Sequence, residues 1–96
     1  MRRDPKAVAG TIELALGRTV KYFRAKKGIG QETLAHMSGI NRTYMTDIEL
    51  GRRSVGIGVI TKIINGLDVD MYTFMTALSE CYYVILAKDI TNKEIS

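Results

Sequence analysis

The chain has 96 residues, which suits one small domain with a modest core and leaves little room for a deep catalytic cavity. Its 46% hydrophobic and 25% charged residues are ordinary for a globular protein. No apolar run approaches the ~20 residues of a membrane span, and the N-terminus lacks the apolar core of a signal peptide. We therefore expect a cytoplasmic protein without membrane contact. The net charge is +4. The chain has one cysteine (Cys81) and one histidine (His36), which are too few for an internal disulfide or for a zinc site of the usual spacing. We therefore expect no metal and no cofactor.

Hydrophobic residues recur at helical spacing along the whole chain. Asp4-Pro5 is a favourable helix start, and the helix it begins is predicted to run to Gly28, with Gly10 leaving open whether its first turns are continuous with the rest. Further helices are predicted over residues 31–38, 41–50 and 56–65, and a fifth after Asp70.

These elements predict an all-α fold in a single domain over residues 1–96. We expect a compact core over about residues 12–70, a C-terminal helix over 71–88 and a polar tail over 89–96 that frays. No stretch alternates with a period of two over a useful length, so a sheet is not expected.

The segment QETLAHMSGINRTYMTDI, residues 31–48, has the spacing of two short helices that cross through a tight turn. Such a pair needs a small residue at the crossing, a glycine in the turn and apolar anchors beneath. These are, in order, Ala35, Gly39, and the anchors Leu34, Ile40, Met45 and Ile48. Their register is that of a DNA-binding helix-turn-helix, and an ordinary helical hairpin is the alternative.

If Met45 and Ile48 point inward, the free face of the helix over 41–50 is polar and carries neither lysine nor glutamate at its centre. Its side chains are of the kinds that read base edges in a major groove: arginine for guanine, threonine for a hydroxyl or methyl contact, aspartate for the cytosine amine. The four residues are Arg42, Thr43, Thr46 and Asp47.

Charge is distributed unevenly along the chain. Residues 1–30 contain eight basic and two acidic residues, whereas residues 61–96 contain three basic and five acidic ones. A basic front half suits a polyanion, although charge alone is equally compatible with an ordinary solvated surface.

The span from Leu16 to Val69 resembles the XRE-type helix-turn-helix regulators, which include lambdoid phage repressors and Cro. The resemblance rests on a basic first helix with Arg24, followed by GIGQETLA, SGINRTY, DIELG and NGLDV. It implies a five-helix, lambda-repressor-like DNA-binding domain. It also implies that Arg24 forms an ion pair with Glu49, which closes the third helix.

The same resemblance implies two groups of DNA contacts. Arg42, Thr43 and Asp47 match base-reading positions, with Thr46 beside them. The positions that match phosphate contacts are Gln31, Tyr44, Arg52, Arg53 and Ser54, and helix N-termini and arginines both favour anions. The chain departs from the family pattern at Gly30, where Ser or Thr is usual, and at Val55-Gly56, where Pro-Ser is usual.

Within that family, the RTYMTDIE helix, the Gly-Leu-Asp-Val at 66–69 and the aromatic MYTFMTAL resemble the controller proteins of restriction-modification systems. Such controllers are homodimers that bind operators near their own gene. The resemblance therefore implies a double-stranded DNA operator as a partner, and a sequence-specific regulator of transcription that binds a (pseudo)palindrome as a homodimer.

One recognition helix reads too few base pairs to find a site in a genome, so a dimer is also expected on physical grounds. The surplus apolar residues after Asp70 are the predicted partner surface, and core packing is the alternative for some of them. The expected interface comprises Met71, Phe74, Met75, Leu78 and Tyr82.

Rival functions stay open at this point. The chain has no phosphate-loop lysine motif and no nucleophile elbow, so an enzyme is not expected, nor is a small-molecule ligand. An antitoxin or a phage Cro-like repressor, whose C-terminal helix binds a different protein, would share many of these residues. The acidic residues Asp68, Asp70 and Glu80 could contact RNA polymerase, but a solvated surface is the favoured interpretation.

Overall fold

The computed structural model describes the backbone of residues 2–95 and the side chains of residues 2–88. Over this part of the chain every regular element is a helix, which confirms the all-α prediction. The helices are α1 (Pro5–Val8), α2 (Thr11–Lys27), α3 (Gln31–Ser38), α4 (Arg42–Glu49), α5 (Ile57–Leu67) and α6 (Met71–Ile95). Helices α1 and α2 together correspond to the first predicted helix, and α3 to α6 correspond to the other four.

The first predicted helix is divided in two at Gly10. The Asp4 carboxylate accepts a hydrogen bond from the Lys6 backbone N–H at 2.9 Å and starts α1, as the Asp-Pro pair predicts. Ala9 then adopts extended backbone angles and Gly10 a left-handed φ of 79°, so the α1 turn ends before α2 begins. The glycine therefore marks a break rather than a tolerated helix position.

The turn between α3 and α4 is built from local signals. Gly39 closes α3 in a left-handed conformation (φ 69°), which a glycine adopts without steric cost. Asn41 then caps α4, its side-chain oxygen accepting from the Tyr44 N–H at 2.8 Å. The chain is thus redirected within three residues, and α4 leaves the turn with a fixed starting direction.

One core joins the helices. Phe23 of α2 stacks on Phe74 of α6 with ring centroids 5.6 Å apart, and Leu34 of α3 and Met45 of α4 are fully buried in the same cluster. Burial of such side chains contributes about 1.5–3 kcal/mol each. The inward face of α4 is therefore anchored, which leaves its other face to solvent.

Helices α2 and α4 approach each other at Gly17. A Cβ at this position would lie 2.5 Å from the backbone oxygen of Glu49 and 2.6 Å from that of Ile48. No side chain fits there, so the two backbones touch directly. The close approach sets the position of α4 relative to the rest of the domain.

Helix α6 packs along α2, and this contact corrects part of the expected dimer interface. Phe74 is fully buried within the protomer's own core, so its place in the expected dimer interface is corrected, whereas Leu78 is 8% exposed, also lines a surface groove and stays a predicted interface residue. Met71 is exposed, and Met75 and Tyr82 are half-buried. The difference arises because α2 covers one side of α6 and leaves the other uncovered.

The backbone of residues 89–95 continues α6, so the helix does not end at Lys88. The side chains of residues 89–96 lie outside the described part of the chain, and the expected fraying there stays a prediction. Among the described helices, none is long and apolar enough to cross a membrane.

Candidate DNA-binding interface

Helix α4 has a buried apolar face and an exposed polar face. Met45 and Ile48 are buried beneath it, whereas Arg42 and Thr43 at its start are exposed. The Arg42 guanidinium lies 3.8 Å from the Glu32 carboxylate of α3, and both side chains are largely in solvent. A pair so exposed contributes little to stability, so Arg42 is free to exchange this partner for another.

Arg24 and Glu49 form a two-pronged ion pair behind that face. The Arg24 Nε lies 2.8 Å from Glu49 Oε2 and its Nη2 lies 2.9 Å from Oε1, while Nη1 donates to the Ile29 carbonyl at 3.1 Å. The Glu49 side chain is fully buried. The hydrogen bond to Glu49 raises the pKa of Arg24 above its ordinary value, against the opposing effect of burial. Glu49 is thus bound inside the domain and does not present its charge to solvent.

Gln31 and Thr46 extend this network to the surface. Gln31 Nε2 donates to Glu49 Oε1 at 3.0 Å, and Gln31 Oε1 accepts from the Thr46 hydroxyl at 2.9 Å. The amide is therefore oriented at both ends by groups on α4. Thr46 is half-buried, and in this arrangement its hydroxyl positions Gln31.

Asp47 lies beside the loop that follows α4. Its carboxylate is 3.4 Å from Arg53 Nε and 3.9 Å from Arg52 Nη1, and the Arg53 guanidinium carbon lies 5.1 Å from the centre of the Tyr44 ring. The two arginines and Ser54 are exposed. Asp47, which is expected to contact a base, is thus surrounded by three residues that are expected to contact phosphate: Tyr44, Arg52 and Arg53.

Every residue expected to touch DNA therefore lies on α4, at the start of α3 or in the loop after α4. The sequence did not indicate the hydrogen bonds by which Thr46 orients Gln31, or the partners of Asp47 and Arg42. Contacts between side chains can be predicted from sequence when they lie four residues apart in one helix. These contacts cannot, because they join residues of separate elements. A glutamate at the start of α3, Glu32, was also missed as the partner of Arg42.

Comparison with known proteins assigns the family. The helix-turn-helix family model HTH_3 matches residues 20–74, which is more than half of the chain and includes α3, the turn and α4. The chain belongs to this XRE-type helix-turn-helix family.

This helix-turn-helix protein is similar to the control protein C.BamHI of Bacillus amyloliquefaciens, with 37% identity over 73 residues that cover 72% of this chain and 90% of the relative. Among solved structures, the wild-type restriction-modification controller protein C.Esp1396I is 31% identical with a TM-score of 0.70, and the match covers 73% of this chain and 91% of that one. C.Esp1396I has also been solved as a tetramer in complex with its natural 35 base-pair operator.

The fold extends to a more distant protein. The clp gene regulator ClgR from Corynebacterium glutamicum superposes with a TM-score of 0.77 over 88% of this chain, at 21% identity. At that identity the match shows the fold alone. The helix-turn-helix architecture is therefore shared more widely than the side chains on its surface.

Proposed function

We propose that the protein is a sequence-specific, double-stranded DNA-binding regulator of transcription that binds a (pseudo)palindromic operator as a homodimer. The observation that carries this proposal is the exposed polar face of α4, which begins with Arg42 and Thr43 and is held from behind by the Arg24–Glu49 pair. A major groove admits one such helix, and these side chain types read base edges. The adjoining Arg52 and Arg53 supply positive charge for the phosphates.

The similarity to C.BamHI and C.Esp1396I supports a narrower role, that of an autoregulatory controller of a restriction-modification operon. In this role the protein works in the cytoplasm, is not an enzyme and takes no small-molecule ligand. RNA polymerase is a further partner in the proposal. The acidic residues Asp68, Asp70 and Glu80 are exposed, and a solvated surface remains the favoured interpretation of them.

The homodimer is proposed to form through the side of α6 that α2 leaves uncovered. Met75, Leu78 and Tyr82 of the predicted interface line a shallow groove together with Ile12 and Tyr83. Met71 lies exposed one helical turn before Met75. Ile12 and Tyr83 are about half exposed. A second copy of the chain would cover these apolar side chains, and two recognition helices would then face half-sites about one helical turn apart.

The proposal is tested by selecting bound sequences from a pool of random DNA duplexes with the full-length protein. We expect a two-fold symmetric consensus, and fluorescence anisotropy of the selected duplex should show affinity that falls steeply with salt. Arg42→Ala should abolish the preference at one base pair in each half-site, at a cost of about 1–3 kcal/mol there. Arg52→Ala should instead weaken binding to all sequences equally and reduce the salt slope by about 1.

Recovery of no consensus would contradict sequence-specific recognition. An unchanged preference with Arg42→Ala would show that α4 is not the helix that contacts the bases.

The exposed apolar side chains of α6 also favour a second candidate, an antitoxin or Cro-like repressor whose C-terminal helix binds a different protein. Co-purification of a stoichiometric toxin chain on α6 in place of a second copy would favour that candidate.

A further inference from the structure

Asp47 offsets half of the positive charge that Arg52 and Arg53 give to the loop after α4. Its single carboxylate lies within 4 Å of both Arg52 and Arg53, at 3.9 and 3.4 Å. The Asp47 side chain is 24% exposed, compared with 67% for Arg52 and 56% for Arg53. The acid is therefore held against the protein while the two bases extend over it.

The position of this acid is unusual for a surface that binds a polyanion. A carboxylate on the free face of α4 repels phosphates, and it competes with them for the two guanidinium groups. The backbone holds the loop close to it, since the Arg52 N–H donates to the Asp47 carbonyl at 2.9 Å. The Tyr44 ring, 5.1 Å from the Arg53 guanidinium carbon, keeps that side chain on the same side. Phosphates therefore compete with Asp47 for the guanidinium groups of Arg52 and Arg53.

We infer that Asp47 is a specificity-determining residue that acts as an internal counter-ion and penalises binding to non-cognate DNA. On non-cognate DNA the arginines leave Asp47 for phosphates, and the carboxylate is left in the groove without a hydrogen-bond donor. On a cognate site a cytosine N4 amine at the position that Asp47 reaches donates to the carboxylate as the arginines leave it. Only on the cognate sequence does Asp47 therefore gain a new hydrogen-bond donor in place of the two arginines.

This inference rests on the proposed function and goes beyond base contact by Asp47. A base contact alone would make any Asp47 variant bind its cognate site more weakly and other DNA no better. A counter-ion makes the opposite prediction for non-cognate DNA, because its removal frees two arginines.

The test measures binding of the full-length protein to a mixed-sequence 25 base-pair duplex and to the duplex obtained by selection, over a range of salt concentrations. For Asp47→Asn we expect affinity for the mixed-sequence duplex to rise about three- to tenfold with a nearly unchanged salt slope, because the same arginines contact phosphate but no unpaired carboxylate is left in the groove. Affinity for the selected duplex should not rise in proportion, so the ratio between the two falls. Asp47→Ala should show the same rise on mixed sequence, and should also lose discrimination when one C·G pair of the selected site is replaced by T·A.

Asp68→Asn is the matched control. It removes one negative charge by the same substitution, but Asp68 directly follows α5 and its ion-pair partner, at 3.9 Å, is Lys27 and not Arg52 or Arg53. Asparagine also tolerates the left-handed φ of 53° at this position. This variant should leave affinity for mixed-sequence DNA nearly unchanged.

An equal rise with Asp68→Asn would overturn the inference, since net charge alone would then explain the effect. So would unchanged binding of Asp47→Asn to the mixed-sequence duplex while the wild-type protein selects and binds its own site. If the wild-type protein binds neither duplex, the proposed function is wrong and the inference fails with it.

Discussion

Among single residues, Glu49 has the role that differs most from its appearance in the sequence. It lies on the helix that we propose to face DNA, where an exposed carboxylate would repel phosphate, yet its side chain is fully buried. Arg24 satisfies both of its oxygens and Gln31 contacts one of them. A paired, hydrogen-bonded charge of this kind is tolerated inside a small core, whereas a single unpaired partner is not.

Glu49→Ala should therefore cost mainly stability. The substitution leaves the Arg24 guanidinium partly buried without its carboxylate and Gln31 without an acceptor, so the free energy of unfolding should fall by about 3 kcal/mol. In a domain of this size the Tm would fall by roughly 12–24 °C. Urea unfolding followed by circular dichroism measures the change, and Glu32→Ala, which removes an exposed carboxylate, serves as the control that changes little. An unchanged Tm with lost DNA binding would contradict a structural role for Glu49.

The pKa of Arg24 determines where its part of this stability depends on pH. Because the hydrogen bond to Glu49 raises the pKa of Arg24 in the folded state above that of the unfolded chain, its contribution is fully present below the unfolded value. The contribution is lost only as pH rises through the raised value. Arg24 therefore stays charged and paired throughout the neutral range.

At the scale of helices, the direct contact of α2 with α4 determines how the recognition helix is held. Gly17 lies against the backbone oxygens of Ile48 and Glu49, at the end of α4 where the buried ion pair also forms. The two features depend on each other, since the short distance between backbones allows Arg24 to reach Glu49. A side chain at residue 17 would push α4 outward and separate the pair.

Two glycine-to-alanine substitutions in helices test this with opposite expected signs. Gly17→Ala should lower the free energy of unfolding by about 1–3 kcal/mol, because the added methyl group meets backbone that cannot move without displacing a helix. Gly58→Ala in α5 has no atom within 4 Å of the new Cβ and should raise it by about 0.5–1 kcal/mol, since alanine restricts the unfolded chain and favours the helix. Thermal unfolding of both variants is the measurement. Similar shifts in the same direction would show that the contact between α2 and α4 is not tight.

For the molecule as a whole, α6 divides its apolar residues between two uses. One side packs on α2 through Phe74 and Leu78, and the other leaves Met71 and Tyr72 exposed at 45% and 78%. A second groove, between α2 and α6, includes Tyr22 and Val84. The two grooves lie on different sides of α6, so the homodimer can use one of them and leave the other open.

Met71→Glu should separate the proposed dimer. Met71 is the first residue of α6, where a glutamate is compatible with the helix, and its charge would lose hydration if a partner covered it. Sedimentation at micromolar concentration should show a dimer for the wild-type protein and a monomer for this variant. Tyr22→Glu, at a similarly exposed site in the other groove, is the matched control and should remain dimeric. A monomeric wild-type protein would rule out the dimer, and dissociation by Tyr22→Glu alone would move the interface to the other groove.

The helices and the crossing of α3 and α4 are predictable from local sequence, because caps, glycine turns and helical spacing act over a few neighbouring residues. Local sequence predicts the glycine turn at Gly39, the helix cap at Asn41 and the burial of Met45 and Ile48. The break at Gly10 is not predictable in this way, since a single glycine is compatible with a continuous or a broken helix until the next helix has packed.

Packing between helices determines which apolar residues of α6 are covered and which polar side chains are hydrogen-bonded or ion-paired. Phe74 is core because it meets Phe23, and no pattern within α6 distinguishes it from Met71 on that account. Gln31 and Thr46 are bonded because α3 and α4 cross at a particular angle, and Asp47 has its two arginines because the loop folds back over it. Each of these depends on the distance between separate elements, which is established only when the whole domain packs.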